Sequence, residues 1–215
     1  VSAGQASGIR LGTVWLTQRG FGVEQMERVA ALIHRALGDI STFSYIGPGG
    51  HVPRGKVDFA VMREVRQGVG ELVEWADARE GRPASRPAAA EGGAVFLEVV
   101  GDRAPAFLQG AGAAQLLGLG AGESRPTALL DPAGATMALA RVWRTADDRF
   151  GRPRYVLAVE GDRQAMVSEW FEALSDGYVR FDRDEVEAKI EGPVVVRPLS
   201  ATEVAGLGLT SVAIG

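Results

Sequence analysis

The chain has 215 residues, of which 46% are hydrophobic and 23% charged, a globular rather than a disordered balance and enough for one or two domains with real cores. Its net charge of -4, with both signs interspersed, gives no general attraction to nucleic acid or to an anionic membrane. It has no cysteine, which excludes disulfides, thiolate metal sites and cysteine nucleophiles and fits a cytoplasmic protein. No apolar run approaches the ~20 residues needed to cross a bilayer, and no signal peptide is recognised. The chain starts at Val1 and enters patterned sequence at once, so it reads as a piece of a longer polypeptide.

In chain order, Ile9 to Leu16 reads as a strand or extended run. A helix follows, with Met26, Val29, Ile33, Ala36 and Leu37 on one face, Glu24 and Glu27 near its start and Gly38 as its stop. Asp39 to Lys56 reads as a loop in which 42–47 could be a strand, and Phe59, Met62, Val65, Val69, Leu72 and Ala76 then mark a second amphipathic helix, weakened by Gly68 and Gly70. The Pro/Ala/Gly stretch 83–92 reads as a linker between domains 1–82 and 93–215.

Beyond it, 94–100 is a strand, Asp102 is placed as the cap of a short helix through Leu108, and Asp131, Pro132, Ala133 and Gly134 form the turn of a hairpin. A strand at 154–160 precedes a helix capped by Asp162, carrying Met166, Trp170 and Leu174 and closed near Gly177. Short strands follow around Val179, Phe181 and 193–196. Strands on either side of each helix predict a ferredoxin-like α+β module.

Most candidate chemistry dissolves on inspection. Gly50, Gly55 and Lys56 match the spacing of a phosphate loop, but Val57 stands where a hydroxyl must meet Mg²⁺ and Pro53 removes a backbone N–H from the cradle. The segment is read as a basic surface loop. His34 and His51 have no spacing that makes a ligand set, and the acidic residues Asp182, Asp184, Glu185 and Glu187 lack the order of a Ca²⁺ loop. Arg10 stands apart because Gly8 and Gly12 on either side permit close approach to its planar fork of donors. From the residues alone it is either a surface or ion-paired arginine or a grip on a carboxylate.

The run "SGIRLGTVWLTQRGFGVEQMERVAALIHRAL" resembles the C-terminal domain of serine hydroxymethyltransferase, with its Ser-Gly-Ile-Arg-x-Gly-Thr and Thr-x-Arg-Gly-Phe signatures in order and at the right spacing. Val14 replaces the proline usual after Gly-Thr. That resemblance implies a pyridoxal-phosphate enzyme that moves a one-carbon unit between serine and tetrahydrofolate, with Arg10 as the residue that binds the amino acid carboxylate. The cofactor lysine would belong to an upstream large domain, so no cofactor is expected in this chain itself. Residues 94–193 are similar to the first domain of the glycine-cleavage T-protein, through "FLEVVGDRAPAFLQ", "LLDPAGATMALARVW" and "YVLAVEGDRQAMVSEWF". That family's Asp-Asp pair falls here on Ala138 and Leu139, which can neither accept a proton nor stabilise a cation, and its Thr-Asn-Asp has no counterpart near Ala113 to Gln115.

The resulting expectation is an α+β chain of two small domains: a serine hydroxymethyltransferase-type small domain over 1–82 and a T-protein-like, ferredoxin-type module over 93–215. Arg10 is the substrate-binding residue and no catalytic or metal-binding residue is assigned. The parent protein would use pyridoxal phosphate and tetrahydrofolate. Its partners would be the upstream cofactor-binding domain, with self-association left open and neither nucleic acid nor membrane involved. The alternative is a noncatalytic folate- or partner-binding assembly module.

Overall fold

The computed structural model describes residues 11–82 and 93–209, and these form α-helices and antiparallel β-sheets in an α+β arrangement. The chain groups into two compact units. One takes the described residues up to Asp39 with those from Ala60, and the other takes Ile40–Phe59 with the described residues from Gly93. The first domain was expected to run unbroken to 82, whereas the stretch 40–59 groups with the second unit.

The helical unit contains α1 (Val14–Gln18), α2 (Val23–Gly38) and most of α3 (Phe59–Arg79). The strand or extended run expected at 9–16 gives way to helix from Val14, because Val14–Gln18 closes a helical turn through Thr17 N–H to Thr13 O at 3.0 Å. Among the described residues no strand pairs with this backbone, so local hydrogen bonding overrides the β-branched composition. α2 and α3 run where 3.6-residue periodicity places them. Ion pairs Arg28–Glu71 and Arg35–Glu64 join them along the outside.

Gly68 looked like a weakness in α3, but it has a packing reason. A Cβ there would stand 2.6 Å from Leu32 Cδ2, so glycine is what lets the α2 side chain settle onto the α3 backbone. Gly70 has nothing within 4 Å of the same construction.

In the second unit, β1 (Ser41–Gly47) and β2 (Gly50–Lys56) form an antiparallel hairpin where a loop with a possible strand at 42–47 was expected, with Gly47 opposite Gly50 and Ser41 opposite Lys56. Gly50 takes a φ of +104°, a conformation that few other residues adopt. Pro53 is tolerated in β2 because a two-stranded ribbon leaves half of its backbone groups unpaired. A parallel bridge ties Val57 to Val179, and Arg180 donates to Ser41 Oγ at 2.9 Å and Asp58 Oδ2 at 3.2 Å.

The main sheet has the order β4 (Ser124–Leu130), β5 (Thr136–Arg144), β6 (Arg154–Glu160), β3 (Ala94–Val100), β7 (Val195–Pro198), with every neighbouring pair antiparallel. α4 (Ala104–Ala111) follows β3, α5 (Gln164–Asp176) follows β6, and the short α6 (Ala201–Gly206) follows β7. Because β6 and β7 both pair with β3, they run parallel to each other, with α5 as their crossover. The sheet has one strand more than the four-stranded ferredoxin order. Fully buried Leu97, Val99, Val156 and Leu157 from the sheet and Phe107, Val167 and Phe171 from the helices form the core.

Two expected caps are displaced. Arg103 rather than Asp102 precedes α4, and a 3₁₀ turn at Gly161–Arg163 precedes α5. Gly177 does end α5, in the left-handed conformation. Expected strands near Val179 and Phe181 reduce to the single bridge at Val179. No described helix is long and apolar enough to cross a membrane.

On β3, between β6 and β7, buried Glu98 accepts from Arg154 Nε at 2.5 Å and from Arg197 Nε at 2.6 Å, which links the three strands in register. Asp148 shapes the connection between β5 and β6. Its carboxylate accepts backbone N–H groups of Phe150 and Arg152 at 2.9 Å and pairs with the Arg152 guanidinium. The Arg152 side chain and these N–H groups hold its pKa at about 2.

Two outcomes follow from these contacts. Gly68→Ala is expected to destabilise the chain by about 1–3 kcal/mol through overlap with Leu32, whereas Gly70→Ala is expected to stabilise it by about 0.5–1 kcal/mol, both read from urea titrations. Because the folded Asp148 pKa lies below its ordinary 3.8, the stabilisation it gives is complete above that value and is lost as pH falls towards about 2. Asp148→Asn should therefore flatten part of the acid limb of a melting-temperature profile and leave the part due to Glu203, whose pKa is also about 2.

Candidate functional site

Arg10, the residue singled out from sequence, lies outside the described residues. The structure does describe the motif that follows it. Thr17 closes α1 by donating its hydroxyl to Thr13 O at 3.2 Å. Gly20 turns the chain at a φ of +80°. Phe21 then meets Trp75 edge to face at 5.4 Å, and Arg19 reaches α3 to pair with Asp77 and, at 3.3 Å, with Glu80. Asp77 is 5% exposed. The Thr-x-Arg-Gly-Phe signature is therefore a clamp that fixes the N-terminal segment onto α3.

The second unit carries a cavity of about 540 Å³. The side chains at 43, 45, 54 and 56 lie on one face of the hairpin, as the two-residue period of its strands requires. The opposite wall is the end of α5 from Leu174 to Gly177 and the segment 187–193. Lys56 is buried at 3% exposure, which overturns the reading of this stretch as a basic surface loop. Its Nζ donates to Ala188 O at 2.5 Å and lies 5.4 Å from the Phe43 ring centroid. Burial lowers its pKa, the positive charge of Lys189 lowers it further, and Glu187 opposes them. The one sequence signal for this residue was rarity, since Lys56 and Lys189 are the only lysines in a chain with 23 Lys and Arg residues.

The remaining expected positions are structural. Residues 50–56 form a strand rather than a strand-to-helix turn, so their N–H groups are not gathered around a phosphate. Ala138 is buried on β5 and its neighbour Leu139 is 49% exposed, as alternation along a strand requires. Ala113 and Ala114 donate to Ala128 O and Thr127 Oγ1, which anchors the glycine-rich loop against β4. His34 lies on α2 and His51 on β2 opposite Ile46. Asp182 accepts the N–H groups of Asp184 and Glu185, which lower its pKa and make it the organiser of a turn. Among the described residues, no group of three His, Asp or Glu side chains is placed to hold a metal ion.

No family model matches the chain. Over 69 residues, 32% of its length, it is 38% identical to the serine hydroxymethyltransferases of Chlamydia trachomatis serovars L2 and D, and it spans 14% of the length of those relatives. Among solved structures, the glycine cleavage system aminomethyltransferase T of Bartonella henselae aligns over 55% of this chain and 30% of its own, with a TM-score of 0.38 and 19% identity.

The clamp has a measurable strength. Arg19→Ala or Asp77→Asn is expected to cost on the order of 2 kcal/mol in urea unfolding. This is less than the ~3–5 kcal/mol of a wholly buried pair, because Arg19 keeps 28% of its side-chain surface exposed. A double-mutant cycle should return most of that cost as coupling between the two residues.

Proposed function

We propose that this chain is the C-terminal part of a serine hydroxymethyltransferase-like protein of folate one-carbon metabolism, in which Arg10 binds the carboxylate of the amino acid substrate. The observation that carries this reading is the 38% identity over 69 residues to serine hydroxymethyltransferases, together with the Ser-Gly-Ile-Arg-x-Gly-Thr run around Arg10. An upstream domain would hold pyridoxal phosphate, which supplies electron withdrawal from the substrate's α-carbon. The residues of the helical unit do not fit that group by themselves. Neither lysine of the chain lies in that unit, so it offers no amine to the cofactor aldehyde. Its contribution is the guanidinium, which donates two parallel N–H bonds to a carboxylate and thereby fixes the rotation of the amino acid.

The N-terminal segment also leaves Leu11, Val14 and Trp15 at 60%, 66% and 77% exposure, side chains suited to packing against an upstream domain of the same polypeptide. For the T-protein-like module we propose a binding or assembly role without transferase activity. What favours this is Ala138 and Leu139 in place of the expected carboxylates.

The test is Arg10→Ala, made both in this chain and in the complete protein that contains it. Thermal melts of the 215-residue chain should move by no more than the ~0.5 kcal/mol of a surface substitution. Serine turnover by the complete protein should fall by the equivalent of about 2–5 kcal/mol in kcat/KM. Arg10→Lys should rescue it poorly, since an ammonium cannot reproduce the planar fork. Unchanged serine kinetics with a large loss of stability would make Arg10 a structural residue and refute the proposal.

A further inference from the structure

Both lysines of the chain line the same cavity. Arginine supplies every other side-chain cation, and arginine cannot lose its proton in a protein, whereas lysine can. The two residues differ in setting, for Lys189 is exposed and Lys56 is buried.

The surroundings of Lys56 are poor for an ammonium ion. Three N–H donors would need acceptors, yet among the described residues Nζ has a single hydrogen bond, to Ala188 O, a contact with the Phe43 ring at 5.4 Å and no ion pair. The charged groups around the cavity are Lys189, Glu187 and Glu191 on the 187–193 segment, Asp176 at the end of α5, Arg54 on the same strand as Lys56, and Arg103. Of the acids, only Glu187 opposes the fall in the Lys56 pKa, and burial and Lys189 outweigh it. In its deprotonated form, an amine that donates to one carbonyl keeps its lone pair free and is a nucleophile.

We propose that Lys56 forms an imine with a small aldehyde or ketone that carries a carboxylate, which Arg54 and Arg103 receive at the rim of the cavity. Among the described residues, Arg54 donates to Pro53 O and Tyr45 Oη, both at 3.3 Å, and Arg103 donates to Gly192 O and pairs with Glu191 Oε2 at 3.8 Å, which leaves each guanidinium N–H groups for a further acceptor. In the reaction the Nζ lone pair attacks the carbonyl carbon, and the C=O π pair moves to oxygen. A proton passes from nitrogen to oxygen to give the carbinolamine. The nitrogen lone pair then expels this oxygen as water, with a proton from solvent, and loss of the remaining N–H proton leaves the neutral imine. One amine and one carbonyl give one imine and one water, and nothing is oxidised or reduced. This inference is independent of the role proposed for Arg10.

The experiment treats the intact chain with glyoxylate and sodium cyanoborohydride from pH 6 to pH 10 and reads each lysine by peptide mass spectrometry. At pH 7, Lys56 is expected to be labelled several-fold faster than Lys189, since a lowered pKa leaves more of the amine neutral. The ratio should close towards pH 10 and vanish in concentrated urea. Lys189→Gln should slow Lys56 labelling at pH 7, and Lys189→Arg, which keeps the charge, should not. Arg54→Gln with Arg103→Gln should raise the glyoxylate concentration needed for half-maximal labelling several-fold and leave labelling by propionaldehyde unchanged. Lys189 labelled as fast as Lys56 at pH 7, or the same selectivity in urea, would overturn the nucleophile. Equal effects of the arginine changes on both aldehydes would overturn the carboxylate grip. The native-versus-urea comparison needs no variant and decides the matter even if a substitution impairs folding.

Discussion

Asp77 is almost wholly buried on α3, and the reach of Arg19 across to it is what makes that burial tolerable. The helical unit depends on this pair. α1 is a single turn of five residues, too short to be stable by itself, and its apolar side chains Val14 and Trp15 face solvent. What holds the segment is the sequence of contacts after it: the Gly20 turn, the Phe21–Trp75 edge contact and the Arg19 pair.

The same principle holds the sheet unit. Glu98 is buried on β3 and is paired on both sides by arginines from β6 and β7, so the register of three strands is tied to one carboxylate. Arg197 extends the network to Glu203 at 2.7 Å, and Glu203 caps α6 with Ser200. Buried carboxylates paired to arginine thus specify geometry in each unit. Lys56 is the exception, a buried amine that makes no ion pair among the described residues, and that contrast gives it its chemical interest.

Long helices and sheet strands were legible in the sequence because their burial follows a period of 3.6 or 2 that the residues display. The packing reason for Gly68 was not, because it lies in Leu32, on a different helix. In the hairpin at 41–56 a strand at 42–47 was open from the sequence, but β2 was missed because Gly50, Pro53 and Gly55 read as loop, and only pairing with β1 reveals it as a strand. Lys56 was set aside with it. Its burial is decided by Ala188, 132 residues away, and no local pattern carries that information. The displaced helix starts at Arg103 and Arg163 come from backbone geometry one residue beyond the aspartates that composition favours. The residue types for a carboxylate grip were visible around Arg10, but choosing between grip and surface arginine required the resemblance rather than physics.

The most direct measurement is a crystal structure of the complete protein that contains this chain, with glycine bound. The account predicts both terminal guanidinium nitrogens of Arg10 about 2.8 Å from the glycine carboxylate oxygens, with Arg19 still on Asp77. An Arg10 paired to a protein carboxylate, with glycine held elsewhere, would contradict it.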